Sequence, residues 1–301
     1  MENDKIDISV VLAVKNESLY IEDAIKSIAM QDCDTFEIIV INDNSTDDTS
    51  KKILKLQKKF SNIIFLNNQK NGKVSAFNYG VSLAKGNWVC LFAGDDLMPE
   101  GSLKERFNQI KELDHNKFNV LIGKIKTISN DKKFDSILIP RKKNRGLFSG
   151  QCYLMNKKFV KVVFPINESL PNEDTWISTF IKFAKNINIY HCDTICCYYR
   201  IHDGNSIRKD ITFSEYNKKI NSRHQAFNLI FKFKFRYFTS KKLKLINEIS
   251  EMEGLRFKGK TFALLIYCSK SYEKIRFIIN SNKHIYIVKM FLYKYIVGKL
   301  H

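Results

Sequence analysis

The first 98 residues alternate short apolar runs with amphipathic segments, and this alternation constrains the fold more than any other feature. The apolar runs lie at 6–14, 36–41, 63–66 and 88–92. They are dense in Val and Ile, which is typical of strands that are buried on both faces. Apolar residues recur at helical spacing in the segments between them. Strand and helix in strict alternation predict an α/β fold, with a mostly parallel sheet and right-handed crossovers.

Polar residues follow these predicted strands and should meet at the carboxyl edge of the sheet, where open α/β sheets bind ligands. The vicinal carboxylates of Asp95 and Asp96 follow the fourth strand and suit Mg²⁺ or Mn²⁺ carrying a diphosphate. Asp43 ends the second strand, where a carboxylate can accept from a base or a ribose. Gly72 and Lys73 open the third helix with free N–H groups and an ammonium, which suit phosphate. The inferred ligand is a mononucleotide diphosphate held through a metal.

Spacing argues against other kinds of site. No Gly-x-Gly-x-x-Gly follows the first strand and no Walker motif occurs, so neither a hydride-transfer dinucleotide site nor a P-loop is expected. The seven Cys include no Cys-x-x-Cys pair and do not indicate a disulfide framework. Cys192, Cys196 and Cys197 lie in a run that alternates like a strand, which predicts buried strand cysteines rather than a zinc site. For an isolated Asp-Asp pair, a solvated turn is the alternative.

Four motifs occur in order over the first 100 residues. They are Val14-Lys15-Asn16-Glu17, Ile41-Asn42-Asp43-Asn44-Ser45-Thr46-Asp47, Asn71-x-x-x-Ser75-x-x-Asn78-x-Gly80-x-x-x-Ala84-x-Gly86 and Gly94-Asp95-Asp96. Together they resemble the family-2 group of inverting GT-A glycosyltransferases, which transfer a sugar from a nucleotide-sugar donor. The resemblance implies a GT-A type sheet flanked by helices, and it is far more specific than any one of its motifs.

The resemblance also implies roles for residues at the strand ends. The expected nucleotide-sugar-binding residues are Ala13, Lys15, Asn16, Glu17, Asp43, Asn71, Gly72, Lys73 and Asp95. Asp43 resembles the residue that contacts the donor's pyrimidine, which makes a UDP-sugar the expected donor. Asp96 resembles the principal ligand of Mn²⁺ or Mg²⁺ in the DxD motif. Ala93 stands where that motif usually has its first Asp, so the ribose contact departs from the family pattern.

Two later segments extend the resemblance. Glu173 and Asp174 precede an apolar helix, where carboxylates also complement the helix dipole. In the family such a pair opens the acceptor-side helix, which makes Asp174 the expected general base with Glu173 beside it; the neighbouring Trp176 is expected in the core. The segment from Tyr198 to His202 resembles a Tyr-Arg-x-His segment that ends many family catalytic domains. His202 would then approach the metal or the diphosphate, although a lone His is usually structural.

The region 211–301 has a different composition, with 19 Lys or Arg against five Asp or Glu. It carries +14 of the chain's net charge of +19. Helix-like runs are broken near 239–240, Gly254 and 281–282, and the last run predicts one apolar face. That face comprises Ile285, Val288, Leu292, Tyr295 and Ile296. A basic helix with an apolar face favours an anionic membrane surface as partner. Packing against the catalytic domain or a partner subunit is the alternative, and nucleic acid is not expected.

These features predict a GT-A catalytic domain at 1–210 and a basic helical region at 211–301. The catalytic domain divides into a nucleotide-sugar-binding half, 1–98, and an acceptor-binding half, 99–210. The predicted enzyme is a metal-dependent inverting glycosyltransferase of bacterial surface polysaccharide or glycolipid synthesis, acting on a saccharide or lipid-linked acceptor. The rivals are a nucleotidyltransferase and a non-catalytic membrane or nucleic-acid binding protein that retains the sheet.

The expected location is the cytoplasm, peripheral on the inner face of the cell membrane. No apolar run precedes Ile6, and no window of 18 apolar residues occurs, so neither a signal peptide nor a spanning helix is expected. Other local expectations are a Ser18 cap on the first helix, a helix at 99–113, strands at 118–128 and 189–201, and a basic loop at 130–144.

Overall fold

The computed structural model describes residues 6–33, 35–202, 212–269 and 273–299, with side chains as far as Phe291. The chain forms two compact units. The first contains the described residues up to Ile181 together with 186–202, and the second contains 182–185 and the described residues after 202. Every residue of the candidate site described below belongs to the first unit.

The four predicted strands form one half of an eight-stranded sheet. They are β1 (Ile8–Val14), β2 (Phe36–Asn42), β3 (Ile63–Asn67) and β4 (Trp88–Phe92). They pair in parallel in the order β3-β2-β1-β4. All residues of β1 and β4 are buried, as their Val- and Ile-rich composition requires. The predicted α/β class and parallel sheet are therefore confirmed.

Three helices connect these strands. They are α1 (Ile21–Ala29), α2 (Thr49–Gln57) and α3 (Lys73–Leu83). The prediction that Ser18 caps α1 is wrong, because α1 begins three residues later and has no side-chain cap. Ser18 instead donates its backbone N–H to Asp47 Oδ2 at 3.0 Å and accepts from Lys52 Nζ at 2.7 Å. It therefore joins the loop after β1 to the loop after β2.

Four further strands extend the sheet beyond β4, and all but the last of them pair antiparallel with their neighbours. The added strands are β5 (Phe118–Ser129), β6 (Leu138–Ile139), β7 (Tyr153–Asn156) and β8 (Ile187–Ile201). β7 pairs with β4 and β5, β6 pairs with β5, and β8 runs parallel to β5. The cysteines of β8 are buried and free, as predicted. β6 lies within the expected basic loop at 130–144 and pairs with β5, so that loop contains a short strand.

The helices of this half are α4 (Ser102–Asn108), α5 (Lys157–Val163) and α6 (Asp174–Phe183). The expected helix at 99–113 is shorter than predicted. Gly101 precedes it in the left-handed conformation with φ 70°, so the regular helix cannot extend back to Pro99. Trp176 of α6 is buried, as predicted, and its indole N–H donates to Val163 O at 2.9 Å.

The second unit is helical. Its helices are α7 (Phe213–Phe233), α8 (Ser240–Phe257), α9 (Thr261–Ile266), α10 (Glu273–Ile279) and α11 (Lys283–Lys299). The predicted break at Gly254 is wrong, since α8 continues to Phe257 and the chain turns at Gly259, where φ is 69°. Arg256 is buried in this unit and pairs with Glu253, the Nε–Oε2 distance being 2.6 Å. The predicted face of the last helix is only partly testable, because the side chains of Leu292, Tyr295 and Ile296 lie outside the described residues. Among the described helices, none is long and apolar enough to cross a membrane.

Candidate active site at the carboxyl edge of the sheet

Asp43 lies at the end of β2 and is fixed by its surroundings. Its side chain is 5% exposed. Its Oδ1 accepts from the backbone N–H of Gly72 at 2.8 Å and from Asn68 Nδ2 at 2.9 Å, while Lys15 Nζ lies 3.8 Å from Oδ2. Because Gly72 immediately precedes α3, Asp43 ties the end of β2 to the start of that helix. Oδ2 is the oxygen directed towards the partly exposed Lys15.

The loops after β1 and β2 are joined by short polar contacts. Asn16 has a positive φ of 54°. Its N–H donates to Ser45 Oγ at 2.9 Å, and its Oδ1 accepts from Thr46 N at 2.8 Å. Asn71 Oδ1 accepts from Asn44 Nδ2 at 2.8 Å. Asn16 and Asn71 therefore build the rim of the site. The other predicted residue here, Ala13, is buried in β1, in register with Ile41.

Asp95 and Asp96 follow β4 and are held from the second half of the unit. Asp96 is fully buried; its Oδ1 accepts from Arg200 N at 2.7 Å and its Oδ2 accepts from Gln151 Nε2. Arg200 also donates from Nε to Asp95 O at 2.9 Å. His202 Nε2 lies 3.2 Å from Asp95 Oδ2. The structure therefore brings His202 to Asp95, while the predicted role of His202 towards a metal or diphosphate stays a prediction.

The electrostatics at this pair favour a cation. Burial, and next the like charge of Asp95, raise the pKa of Asp96 to about 7, although Arg200 N and Gln151 donate to it. Glu17 is a third carboxylate nearby, and burial followed by the charge of Asp95 raises its pKa well above the ordinary value. Glu17 Oε2 is buried and finds no hydrogen-bond partner within the part of the chain that the structure describes. A Cβ on Gly94 would collide with that oxygen, so this close approach requires glycine.

These residues fit a Mg²⁺ or Mn²⁺ that takes its other ligands from a phosphate. In the described ranges no three His, Cys, Asp or Glu side chains converge on one point as a complete metal cage. A magnesium-type site needs only one or two carboxylates when substrate phosphates complete the shell. Asp96 beside Asp95 provides such a pair of hard oxygen donors.

The predicted acid pair lies at the start of α6. Asp174 Oδ1 accepts from Gly150 N at 2.9 Å, and its Oδ2 lies 3.3 Å from Asn172 Nδ2. Glu173 is more deeply buried, and its Oε1 forms an ion pair with Lys73 Nζ at 3.0 Å. Burial raises the pKa of Glu173, while Lys73 opposes that effect. The two acids therefore differ, because Glu173 is buried in an ion pair with Lys73 whereas Asp174 is partly exposed.

The contacts form a continuous series around one sheet edge. Asp43 holds Gly72, the next residue Lys73 holds Glu173, Asp174 accepts from Gly150, and the next residue Gln151 donates to Asp96. The roles of Gln151, Arg200 and Asn68 in holding the carboxylates were not predicted from the sequence. Their partners are far away in the chain, since Gln151 and Asp96 are 55 positions apart and Arg200 and Asp96 are 104 apart.

Comparison with known proteins identifies the family. A model of "Glycosyl transferase family 2" matches residues 9–166, just over half of the chain. The match includes the four short motifs of the first 100 residues and ends before the acid pair of α6 and before β8. The chain belongs to glycosyltransferase family 2. This family-2 chain is similar to an uncharacterised glycosyltransferase of Rickettsia bellii, with 27% identity over 271 residues. It is also similar to the GalNAc(5)-diNAcBac-PP-undecaprenol beta-1,3-glucosyltransferase of Campylobacter jejuni, with 33% identity over 183 residues.

The matched lengths limit what these relatives imply. The Rickettsia match covers 86% of this chain but 36% of the relative, and the Campylobacter match covers 58% of this chain and 59% of the relative. The chain therefore spans about a third to three fifths of the length of these two relatives.

Solved structures share the fold. S. aureus TarS 1-349 in complex with UDP-GlcNAc has a TM-score of 0.59 and 17% identity, covering 92% of this chain and 79% of that one. The mannosyltransferase PcManGT from Pyrobaculum calidifontis, in complex with GDP-Man and Mn²⁺, has a TM-score of 0.60 and 14% identity, covering 99% of this chain and 87% of that one. The predicted GT-A fold of this family-2 chain is confirmed.

Proposed function

We propose that this chain is a metal-dependent inverting glycosyltransferase that moves a sugar from a nucleotide-diphosphate sugar to an acceptor hydroxyl. One observation carries the proposal. A single series of contacts connects Asp43, the adjacent carboxylates Asp95 and Asp96, of which Asp96 is buried, and the acid pair Glu173 and Asp174. Transfer to a hydroxyl needs these three parts, because the donor must be recognised, its leaving group stabilised and the acceptor proton removed.

The donor side is assigned to the residues at the ends of β1, β2 and β4. Asp43 Oδ2 accepts from the N–H of a pyrimidine, and the loop with Asn16 and Glu17 lies beside the nucleoside. Asp96, with Asp95 and His202, holds Mn²⁺ or Mg²⁺, which when bound offsets the negative charge of the departing diphosphate. PcManGT, with a similar fold, was solved with Mn²⁺, which supports this choice of ion.

The acceptor side is assigned to Asp174. Asp174 is partly exposed, whereas Glu173 is buried and its Oε1 is occupied by Lys73. In the proposed step Asp174 takes the proton of the acceptor hydroxyl as that oxygen bonds to the anomeric carbon. The bond from that carbon to the diphosphate oxygen breaks, and its electron pair leaves with the nucleoside diphosphate. One base and one displacement give inversion at the anomeric carbon.

A UDP-sugar and a lipid-linked acceptor are the proposed substrates. TarS, with a similar fold, was solved with UDP-GlcNAc. The Campylobacter relative is named as a glucosyltransferase for a saccharide on PP-undecaprenol. Together they support a role in the synthesis of bacterial surface polysaccharide or glycolipid on the cytoplasmic face of the membrane.

Incubation of the purified chain with a panel of nucleotide sugars and Mn²⁺ tests the proposal. We expect release of nucleoside diphosphate from at least one UDP-sugar, and its loss in EDTA. Release of pyrophosphate from a nucleoside triphosphate instead would favour the rival nucleotidyltransferase. Binding to lipid or nucleic acid without turnover of any donor would favour the rival non-catalytic protein.

We assign the membrane contact to the second unit. Large apolar side chains are highly exposed on α9, α10 and α11: Phe262, Ile266, Ile275 and Phe291 are each at least 67% exposed. Lys274 Nζ donates to Leu265 O and Tyr267 O, which ties α10 to the end of α9. Exposed apolar side chains can insert into a bilayer surface, and a region with net charge +14 is attracted to anionic lipid head groups.

The triple variant Phe262→Ser, Ile266→Ser and Phe291→Ser should lose binding to anionic liposomes. Each apolar side chain that inserts into the bilayer strengthens membrane binding, and each Lys or Arg near the surface adds about 1 kcal/mol. The unmodified protein should therefore sediment with phosphatidylserine vesicles at low salt and dissociate from them at high salt. Neutral vesicles should bind little. Leu54→Ser, which changes an apolar side chain 48% exposed in the first unit, is the control. If the triple variant bound these vesicles as well as the unmodified chain does, the membrane contact would have to lie elsewhere in the chain.

Asp43→Asn should weaken binding of UDP by about ten- to a hundred-fold, since a hydrogen bond to a charged group contributes about 1.5–3 kcal/mol. The new side chain has the same size and can still accept from Gly72 N, so the fold should be kept. Calorimetric titration with UDP measures the effect. The control is Asp48→Asn, at an exposed residue that precedes α2 without a side-chain cap bond. An unchanged affinity in the Asp43 variant would remove this residue from the donor site.

A further inference from the structure

Lys73 joins the two halves of the catalytic unit. It is the first residue of α3, and it meets Glu173, 100 positions later, with an Nζ–Oε1 distance of 3.0 Å. The Lys73 side chain is 44% exposed, whereas that of Glu173 is 5% exposed. Glu173 Oε2 is buried and has no hydrogen-bond partner among the residues that the structure describes. The ion pair therefore stabilises a carboxylate that the fold otherwise leaves poorly solvated.

The charged and titratable groups around this pair come from four further places. Asp174 is adjacent in the chain to Glu173, and Tyr153 of β7 faces Asp174. Glu17, from the loop after β1, and Tyr199 of β8 face Lys73. Lys73 is therefore the cation that the carboxylates of both halves share.

The pKa values of both partners are raised, but for different reasons. Loss of solvent opposes the charge of Lys73, but Glu173, Asp174 and Glu17 outweigh it and hold the pKa of Lys73 above its ordinary value. Burial raises the pKa of Glu173, Lys73 lowers it, and Asp174 raises it again. Without Lys73, burial and the charge of Asp174 would favour a proton on Glu173, and a backbone hydrogen bond at Glu173 would oppose them.

We infer that Lys73 is a positioning residue that divides the roles of the acid pair, keeping Glu173 ionised so that the acceptor proton goes to Asp174. Two adjacent carboxylates that share one site tend to share one proton. A cation bound to one of them breaks that symmetry, because it stabilises the charged form of its own partner. The inference rests on the proposed function, since it assumes that Asp174 removes the acceptor proton. It differs from a purely phosphate-binding role for Lys73, which would leave the acid pair unaffected.

The variant Lys73→Met should move the acid limb of the pH profile of kcat/KM upward by about one pH unit or more. The direction follows from the lost cation: the two carboxylates then share one proton that they bind more tightly, so Asp174 carries part of that proton until a higher pH is reached. The loss of kcat/KM relative to the unmodified chain should consequently be smaller at pH 8.5 than at pH 6, whatever part of the loss comes from donor binding. Lys73→Arg should retain the original limb. The matched control is Lys70→Met, which removes the exposed ion pair of Lys70 with Glu168 and should leave the limb in place.

Two outcomes of this experiment would overturn the inference. One is an equal loss of activity at every pH, which indicates a structural role. The other is weaker UDP binding with an unmoved acid limb, which indicates that Lys73 serves the diphosphate alone.

A second measurement does not depend on turnover. The raised pKa of Glu173 means that its contribution to stability is present at low pH and is lost as pH rises through the folded-state pKa, and Lys73→Met should enlarge that loss. The Tm difference between the unmodified and Lys73→Met chains should therefore be greater at pH 8 than at pH 5. In a Glu173→Gln background the pH dependence of this difference should become smaller, and what remains comes from Glu17, whose pKa Lys73 also lowers. A pH-independent difference in both backgrounds contradicts the coupling. If no donor is turned over but this dependence is found, the proposed function fails and the coupling stands.

Discussion

Asp174→Asn should lower the rate of sugar transfer by about 10²–10⁴-fold, the usual contribution of a general base. An amide has the size of the carboxylate but cannot take the acceptor proton. The substitution should be tolerated by the fold, because the contact from Gly150 N to Oδ1 can be kept. Asn172 Oδ1, which is buried and has no partner among the described residues, can accept from the new amide. Transfer kinetics with saturating donor and acceptor measure the effect.

Donor binding separates loss of the base from damage to the site. The affinity of the Asp174 variant for UDP should remain near that of the unmodified chain, because Asp174 is assigned to the acceptor. Glu173→Gln is the matched control. It keeps an oxygen for Lys73 at the position of Oε1 and should reduce kcat by far less. If the Glu173 variant were the crippled one and the Asp174 variant nearly normal, the roles within the pair would be reversed.

The parallel half of the fold could be predicted because its strands are buried on both faces. Such strands appear as continuous runs of Val and Ile, and β1 to β4 lie where those runs are. Helix boundaries were less predictable. Ser18 has the chemistry of a cap but is used in contacts with Asp47 and Lys52. Gly254 is tolerated inside α8, since an interior Gly costs only about 1 kcal/mol relative to Ala.

The candidate site was predictable at the level of its short motifs and less so at the level of its contacts. Asp43, Asp95 and Asp96 follow strands, so the fold class alone brings them to one edge. The ion pair of Lys73 with Glu173 depends on how the second half of the unit returns to the first, which periodicity does not show. The same is true of the Gln151 contact with Asp96. The catalytic and binding roles of these residues stay predictions until the variants are measured.

Asp96→Asn should abolish metal-dependent nucleotide binding and reduce sugar transfer below detection. Asp96 is buried beside Asp95, and the pair is the densest negative charge that the site offers a cation. An amide removes the charge but keeps an oxygen that can accept from Arg200 N, in place of Oδ1. The variant should therefore retain its fold. Its Tm should even rise slightly, because the like-charge repulsion with Asp95 is removed.

Calorimetric titration of UDP with and without Mn²⁺ measures the loss directly and needs no acceptor. The unmodified chain should bind UDP more tightly with Mn²⁺, whereas the Asp96 variant should bind it equally weakly in both conditions. Asp32→Asn supplies the control, since Asp32 is an exposed carboxylate that pairs with Lys104 outside the site. Its metal-dependent binding should be unchanged. Should the Asp96 variant keep the Mn²⁺-dependent gain, or the unmodified chain transfer sugar fully in EDTA, the cation would have to be held elsewhere or not be required. A chain that turned over donor without metal would then have to stabilise the departing diphosphate with its own cations, and Lys73 at the start of α3 would become the first residue to test in that role.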